Sequence, residues 1–424
     1  MVSISTLFIA KPVVRTALMI SAFMVVDCSA EDWPQFLGPD RNGMSAETGL
    51  ISSWPEAGLK PAWRAPLGEG MSGIAVSGQR LFTMYQDDTN QYVVCCNVEN
   101  GKTLWETAIA PRYQNSMGHG PRATPTIIDG QVIVFSGEGV LASLKSLDGK
   151  INWKVNTIIR TQAKPAEYGM SGSPLVVGDQ VIVQTNSGAQ GFTVGSYSLT
   201  SGKLNWGANN QPAGYSSPAL LKCGTAKYIT VFCGKSLFGV DPSSGKIAWK
   251  YPFATEYNCN TASPINIGGR VFISSGENHG SALLEFSKVA NQELQVKESW
   301  TSLGRESVLR SEWQTPVQHG GYLYGFDNVG SASAITHLTC VGQETGKVVW
   351  RKTRFGKGNL IFADGMLIVS TMKGELVLVK AISDHFELIG RQKLLGQTRQ
   401  APALSNGRVY LRDNSELVCV DLRR

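Results

Sequence analysis

Short apolar stretches separated by glycine-centred turns run along this chain, and one such unit is spelled out five times. Val341 to Trp350 reads Val-Gly-Gln-Glu-Thr-Gly-Lys-Val-Val-Trp, and the same order of apolar strand, Gly-Lys turn and Trp recurs at Asn97 to Trp105, Leu147 to Trp153, Leu199 to Trp206 and Val240 to Trp249. Each copy predicts a hairpin, because the Gly supplies the positive φ that a tight turn needs and the flanking residues alternate as strands do. The Trp stands at a fixed distance after the turn. It is therefore expected to face the same way in every copy and to pack on the neighbouring unit, burial contributing about 2 to 3 kcal/mol. The Lys beside each Gly is read as a solvated turn residue.

A second element alternates with the first. Thr124-Pro125, Ser173-Pro174, Ser263-Pro264, Thr315-Pro316 and Ala401-Pro402 are each followed, seven positions after the Pro, by an apolar residue (Val132, Val181, Val271, Leu323, Val409), with a Gly turn between. Ser217-Pro218 is a looser copy with a longer turn, and Gly73-Ile74 and Asn359-Leu360 are copies without Pro. Pro suits the first residue of a strand, where its missing N–H is not needed by the ladder. Two hairpins per unit make four antiparallel strands, and eight units recur at roughly 45 to 50 residues, a period typical of propellers. The predicted fold is all-β: an eight-bladed β-propeller of four-stranded antiparallel blades.

The ends of the chain predict how the ring closes. Pro61-Ala62-Trp63-Arg64 has the Trp of a unit but no hairpin before it, while Ala401 to Leu422 supplies three strands and stops where a Trp strand should follow. The N-terminal strand is expected to complete the last blade and so remove an open edge. The outer-strand tryptophans are then Trp63, Trp105, Trp153, Trp206, Trp249, Trp300 and Trp350. Blade 7 departs, with only Phe386-Glu387-Leu388 at the turn, and blade 5 lacks the Gly-Lys pair, so a longer turn is expected there.

Before the repeats, Lys11 and Arg15 precede an apolar run from Thr16 to Val26 that ends at Cys28-Ser29-Ala30. This is the order of a cleaved secretory signal, and the run is too short to span a membrane. Residues 1–30 are read as signal peptide, 31–61 as a turn-rich leader lying across the propeller, and 62–424 as the propeller. The expected location is periplasmic or secreted; lipid attachment at Cys28 is disfavoured because Val25-Val26-Asp27-Cys28 is a poor lipobox. The net charge of +6 over 424 residues, without a Lys/Arg block, argues against a nucleic-acid partner. Eight cysteines less Cys28 leave an odd number, so the cysteines are read as strand-core residues, although Cys223 and Cys233 flank one hairpin at a spacing that permits pairing.

Trp33-Pro34-Gln35-Phe36 with Gly38-Pro39, Gly120-Pro121-Arg122-Ala123-Thr124-Pro125-Thr126, Tyr215-Ser216-Ser217-Pro218, Tyr322-Leu323-Tyr324-Gly325 and the Gly-Lys…Trp copies together resemble the bacterial pyrroloquinoline-quinone-like propeller repeat proteins. The resemblance covers nearly all of the chain after residue 30. It implies a superfamily that holds quinone-dependent alcohol and sugar dehydrogenases, the lipoprotein scaffold of outer-membrane barrel assembly, and exported proteins without assigned activity. In the dehydrogenases so implied, calcium ligands, an Arg by the quinone and an aromatic plane form the site. Glu167, Asn258, Asn260 and Arg310 would be the residues to take such parts here. Cys95-Cys96, which a vicinal disulfide would need, lies inside a strand, where the two side chains face opposite sides of the sheet.

Other chemistries lack their context. Gly118 to Ala123 and Gly137 to Ala142 fit Gly-x-Gly-x-x-Ala without a strand-to-helix setting, and no Cys-x-x-Cys-His, His-Glu-x-x-His or Gly-x-Ser-x-Gly occurs. In a propeller, the residues before each inner strand gather around the central channel. That face collects Glu69, His119, Arg122, Glu167, Tyr168, Tyr215, Asn258, Asn260, Trp313, Lys357 and Arg399, which suits recognition of an envelope protein, peptide or small ligand. The reading is an exported, non-catalytic binding or interaction scaffold that needs no cofactor and has neither catalytic nor metal-binding residues. The alternative is an alcohol or sugar dehydrogenase dependent on pyrroloquinoline quinone and calcium.

Overall fold

The computed structural model describes Met1 and residues 31–187, 191–288, 294–330 and 335–424. The signal segment and the longer blade 5 turn expected above fall on 2–30 and 289–293, outside the described residues. Strands in the described residues form eight four-stranded sheets, each strand antiparallel to its neighbour. Blades 1 to 7 occupy residues 75–111, 126–156, 175–208, 219–252, 265–303, 317–352 and 358–393, and blade 8 occupies 403–421 together with Pro61–Pro66. Inner strands of blades 1 and 2, 2 and 3, 4 and 5, and 6 and 7 touch one another, and so do those of the last blade and the first. The chain is thus an eight-bladed propeller closed by its N-terminal strand, whose Trp63 lies opposite Cys419.

Every blade carries the same irregularity. The outer strand is bulged one residue before the Trp position, as between Ser143 and Leu144, whose partners are Trp153 and Ile151. A bulge adds a residue on one side of the ladder and turns the strand locally, and here it aims the ring at the next blade. The indole N–H then donates to a backbone carbonyl in that blade's turn: Trp63 to Val98 at 2.8 Å, Trp105 to Ser146 at 3.1 Å, Trp153 to Leu199 at 2.8 Å, Trp206 to Pro242 at 3.0 Å, Trp300 to Gln343 at 2.7 Å and Trp350 to Ile382 at 2.9 Å. The turn glycine lies under the ring. A Cβ on Gly101, Gly149, Gly202, Gly245 or Gly346 would meet the facing Trp at 2.5 to 2.8 Å. Gly is therefore needed twice over, for its φ of +64° to +73° and for the approach of the indole. The five lysines that follow are exposed.

The two irregular blades depart where this latch cannot form in the usual way. Trp249 faces blade 5, which lacks the Gly-Lys turn; its ring packs on Phe286 at 4.6 Å, and its buried Nε1 has no hydrogen-bond partner among the described residues. In blade 7 the Trp register position is Gly390, opposite Leu378. The blade it faces receives its outer strand from the N-terminus, so no turn exists there to accept an indole N–H. Trp54 of the leader fills the space instead, so closely that a Cβ on Gly390 would lie 2.0 Å from its ring.

The Ser or Thr before five of the six strand-initiating prolines has a part that the Pro alone does not explain. The N–H of Thr124 donates to Ser173 Oγ (2.9 Å), Ser173 to Ser217 Oγ (2.9 Å), Ser217 to Ser263 Oγ (3.0 Å) and Ser263 to Thr315 Oγ1 (3.0 Å). These hydroxyls tie five consecutive blades around the axis. The inner strands begin one residue after the Pro, at Thr126, Leu175, Ala219, Ile265, Val317 and Ala403.

The leader lies against the channel end that carries the first turn of each blade. Trp33 pairs with Val76, Pro34 accepts from Ile127, Gly43 and Ser45 bond to Phe362, and Glu47 accepts from Asn406 and Gly407. Arg41 donates to the carbonyls of Ser173 and Pro174 at 3.0 and 2.9 Å. Its burial lowers the guanidinium pKa to about 9. Arg412 is likewise buried, held by carbonyls of Gly68, Gly70, Ser72 and Met84 across the blade 8 to blade 1 seam.

The seven cysteines of the described residues are unpaired, Cys223 and Cys233 among them. Cys95 belongs to the core between blades 1 and 2 and Cys96 to the core between blades 8 and 1, as their alternation along the strand requires.

Candidate functional site: the channel mouth

At the other end of the channel, the loops entering each inner strand form a mouth whose two sides differ in charge. On one side Trp313 is the centre: Lys357 Nζ lies 4.7 Å and the Arg399 guanidinium carbon 4.8 Å from its ring centroid. Lys357 also forms an ion pair with Glu312, and Arg399 donates to the Met117 carbonyl at 2.7 Å. Arg122 lies over the Tyr113 ring at 4.9 Å and donates to the carbonyls of Gly118 and Gly120, each at 2.6 Å. Burial lowers the pKa of both Arg122 and Arg399; Tyr113 opposes the shift at Arg122 while Arg399 adds to it, and Glu312 offsets part of the burial of Arg399.

On the facing side stand aromatic and acidic groups. Tyr168 and Tyr215 form a tilted pair with centroids 5.5 Å apart, and the Tyr215 hydroxyl accepts from the Tyr168 N–H at 3.3 Å. Burial drives the Cys259 thiol up to about 11, and the charges of Glu277, Glu167 and Glu312 add to that. Glu312 itself is raised above the ordinary carboxylate range by burial, against the pull of Lys357.

The residues proposed from sequence divide by burial and engagement. Trp313, Lys357, Arg399 and Arg122 gather on the cationic side, and Glu167, Tyr168, Tyr215 and Asn258 on the acidic side. Glu69 accepts from Gln86 at 3.0 Å and lies 3.7 Å from Arg112, toward the blade 1 edge of the mouth, while His119 Nδ1 accepts from the Asn115 N–H at 3.2 Å. Asn260 is fully buried and belongs to the framework: its amide donates to the carbonyls of Cys233 and Phe253, and its oxygen accepts from Ser275. Arg310 is buried against Asp327, at 2.7 Å. Glu312, Tyr113 and Tyr257 were not singled out from sequence. Glu312 adjoins Trp313, and a charged residue beside an aromatic before a Thr-Pro start was the signal that would have found it.

A quinone with calcium would draw on oxygen donors and an aromatic plane at the mouth. Calcium takes six to eight oxygen ligands with carboxylates prominent, yet among the described residues no three His, Cys, Asp or Glu side chains come together as a metal-holding group. Of the four residues the dehydrogenase resemblance would use, Asn260 and Arg310 are committed to other partners. The aromatic plane available, Trp313, is engaged by two cations of the chain itself.

The fold and its repeats define a quinoprotein-like propeller. The chain belongs to the PQQ-repeat family described as outer membrane protein assembly factor BamB, whose profile matches residues 49–209, 163–352 and 334–423. It is 22% identical over 373 residues to outer membrane protein assembly factor BamB of Yersinia pestis, covering 81% of this chain and 84% of that protein. It is 24% identical over 231 residues to tetrathionate hydrolase of Acidithiobacillus ferrooxidans, covering 51% of this chain and only 44% of the enzyme. Among solved structures, the quinohemoprotein alcohol dehydrogenase of Comamonas testosteroni superposes with a TM-score of 0.66 at 14% identity, over 92% of this chain and 80% of that one. At that identity the likeness is one of fold. No helix among the described residues is long and apolar enough to cross a membrane.

Proposed function

We propose that this chain is an exported, non-catalytic interaction scaffold of the cell envelope, which binds a protein or peptide at the channel mouth. The observation that carries the reading is that the mouth's strongest groups are already engaged with one another. Lys357 is paired with Glu312, Trp313 is covered by two cations, and Arg122 is spent on two loop carbonyls. Such an arrangement presents a rigid, charged and aromatic surface rather than an open slot for a cofactor. Membership of a family described by outer-membrane assembly supports a protein partner. The same relationship supports an envelope location, with residues 1–30 as the removed signal and the mature chain starting near Glu31.

The test is to isolate the protein from the exported fraction, determine its N-terminus and record its absorption spectrum and calcium content. The reading expects an N-terminus near residue 31, no quinone absorbance and less than stoichiometric calcium. Stoichiometric quinone, or an intact N-terminus in the cytoplasm, would overturn it.

A further inference from the structure

The loops leading into blades 5 and 6 each bury an oxygen that lacks a partner among the described residues, Asn258 Oδ1 and Glu312 Oε1. Glu312 is more than nine-tenths buried. Both side chains are lodged against the glycine of the loop beneath: a Cβ on Gly234 would lie 2.4 Å from Asn258 Cβ, and one on Gly276 2.5 Å from Glu312 Cγ. They fit where they are because these glycines leave room. An amide oxygen and an ionised carboxylate oxygen only accept hydrogen bonds, so what each lacks is a donor, and a buried acceptor without one is unfavourable.

The surroundings say what kind of donor. Tyr168 and Tyr215 are paired beside Glu167, and Tyr257, 59% exposed, stands on the same loop as Asn258. The loops adjoin: the Tyr215 N–H donates to the Asn260 carbonyl at 2.8 Å, and the hydroxyl of Ser275, which precedes Gly276, donates to the Cys259 carbonyl at 3.0 Å. Aromatic rings with carboxylates favour an organic cation. A bare metal ion has no use for the rings, and the described residues hold no metal-type cluster.

We propose that this flank of the mouth, formed by Glu167, Tyr168, Tyr215, Tyr257, Asn258 and Glu312, binds a basic side chain of a partner polypeptide, a lysine ammonium or an arginine guanidinium. The inference rests on the binding-module reading and names its partner's chemistry. The cation supplies the donors that the two buried oxygens lack, while its methylene stem lies along the tyrosines.

The mature chain, titrated calorimetrically at low salt with tri-lysine, tri-glutamate and calcium chloride, tests it. Because the whole chain carries +6, non-specific attraction would favour tri-glutamate, so preference for tri-lysine reports the site. Tri-lysine is expected to bind saturably and tri-glutamate not at all, with binding weakened about tenfold in Tyr257→Ala and in Glu312→Gln. Tyr257 is on the surface, so its variant carries the test even where Glu312→Gln folds poorly. The inference is overturned if tri-lysine gives no signal, if both peptides bind alike, if Tyr257→Ala binds like the parent, or if calcium alone displaces tri-lysine. Loss of tri-lysine binding without quinone-dependent turnover removes this inference and leaves the scaffold reading standing. Quinone-dependent turnover removes the scaffold reading itself.

Discussion

The circumference of this propeller and the mouth of its channel are built on opposite plans. Around the circumference, one device is repeated: a bulged outer strand, a Trp, and the turn glycine and carbonyl of the next blade. At the mouth no single device repeats; the loops contribute charged and aromatic side chains that engage one another across blades, as Lys357 does with Glu312 on the neighbouring loop and Arg399 with Met117, far away in sequence. The repeated device makes the ring, and the unrepeated loops give one side of it an identity. Stability should therefore be most sensitive at the circumference and function at the mouth.

Closure carries the largest expected effect. Deleting residues 31–66 removes the outer strand of blade 8, the leader under the channel and Trp54, and exposes an unpaired edge. The truncated chain should lose cooperative thermal unfolding and elute as aggregate in size-exclusion chromatography; unchanged melting would dissolve the closure argument.

Next come the latches themselves. Trp153→Ala should cost about 3 to 5 kcal/mol in urea denaturation, since a buried aromatic is lost. Trp249, whose Nε1 has no partner among the described residues, should cost about 1 kcal/mol less, the worth of the missing hydrogen bond. Equal losses would mean that the indole N–H bonds contribute nothing. Gly202→Ala, which meets both a φ of +66° and the Trp153 ring at 2.5 Å, should cost about 2 to 3 kcal/mol. Gly178→Ala, with φ of +60° but open space, should cost only about 1 kcal/mol.

What could be read in advance follows the same division. The latch was legible because the Trp and the Gly-Lys turn recur at one spacing, and a repeated physical task leaves a repeated pattern. Blade 7 was visible as a departure, but Trp54 was not connected with it, because a side chain supplied to Gly390 from 336 positions away leaves no local trace. The Ser or Thr before most of these prolines was passed over for the Pro itself, yet the hydroxyls of Ser173, Ser217, Ser263 and Thr315 link neighbouring blades. At the mouth, position in a loop predicted nearness to the axis but not burial. Asn260 and Trp313 stood alike in the sequence, and only packing separates a framework amide from a half-buried aromatic centre.

A smaller effect concerns the ion pair between Arg270 and Glu344 on neighbouring blades, which holds the Glu344 carboxyl down at about 2. A carboxyl whose folded pKa is depressed stabilises the fold above its unfolded value, and that contribution is lost as pH falls toward the folded one. The loss here should fall between about pH 4.5 and 2, and Glu344→Gln should flatten the stability profile in that window while matching the parent below it. Smallest of all, Lys150→Ala and Lys203→Ala, at exposed turn positions, should stay within about 0.5 kcal/mol of the parent. A larger loss would give the Lys of the repeat a role outside packing.

The central claim is that the mouth recognises a partner and does not run a quinone reaction. It is tested most directly by adding pyrroloquinoline quinone and calcium to the purified protein and following both its melting temperature and dye-linked oxidation of alcohols and sugars. A ligand bound by the native state raises the melting temperature by mass action. The account predicts an unchanged melting temperature and no oxidation; a saturable rise with turnover, abolished in Glu167→Gln or Asn258→Ala, would contradict it.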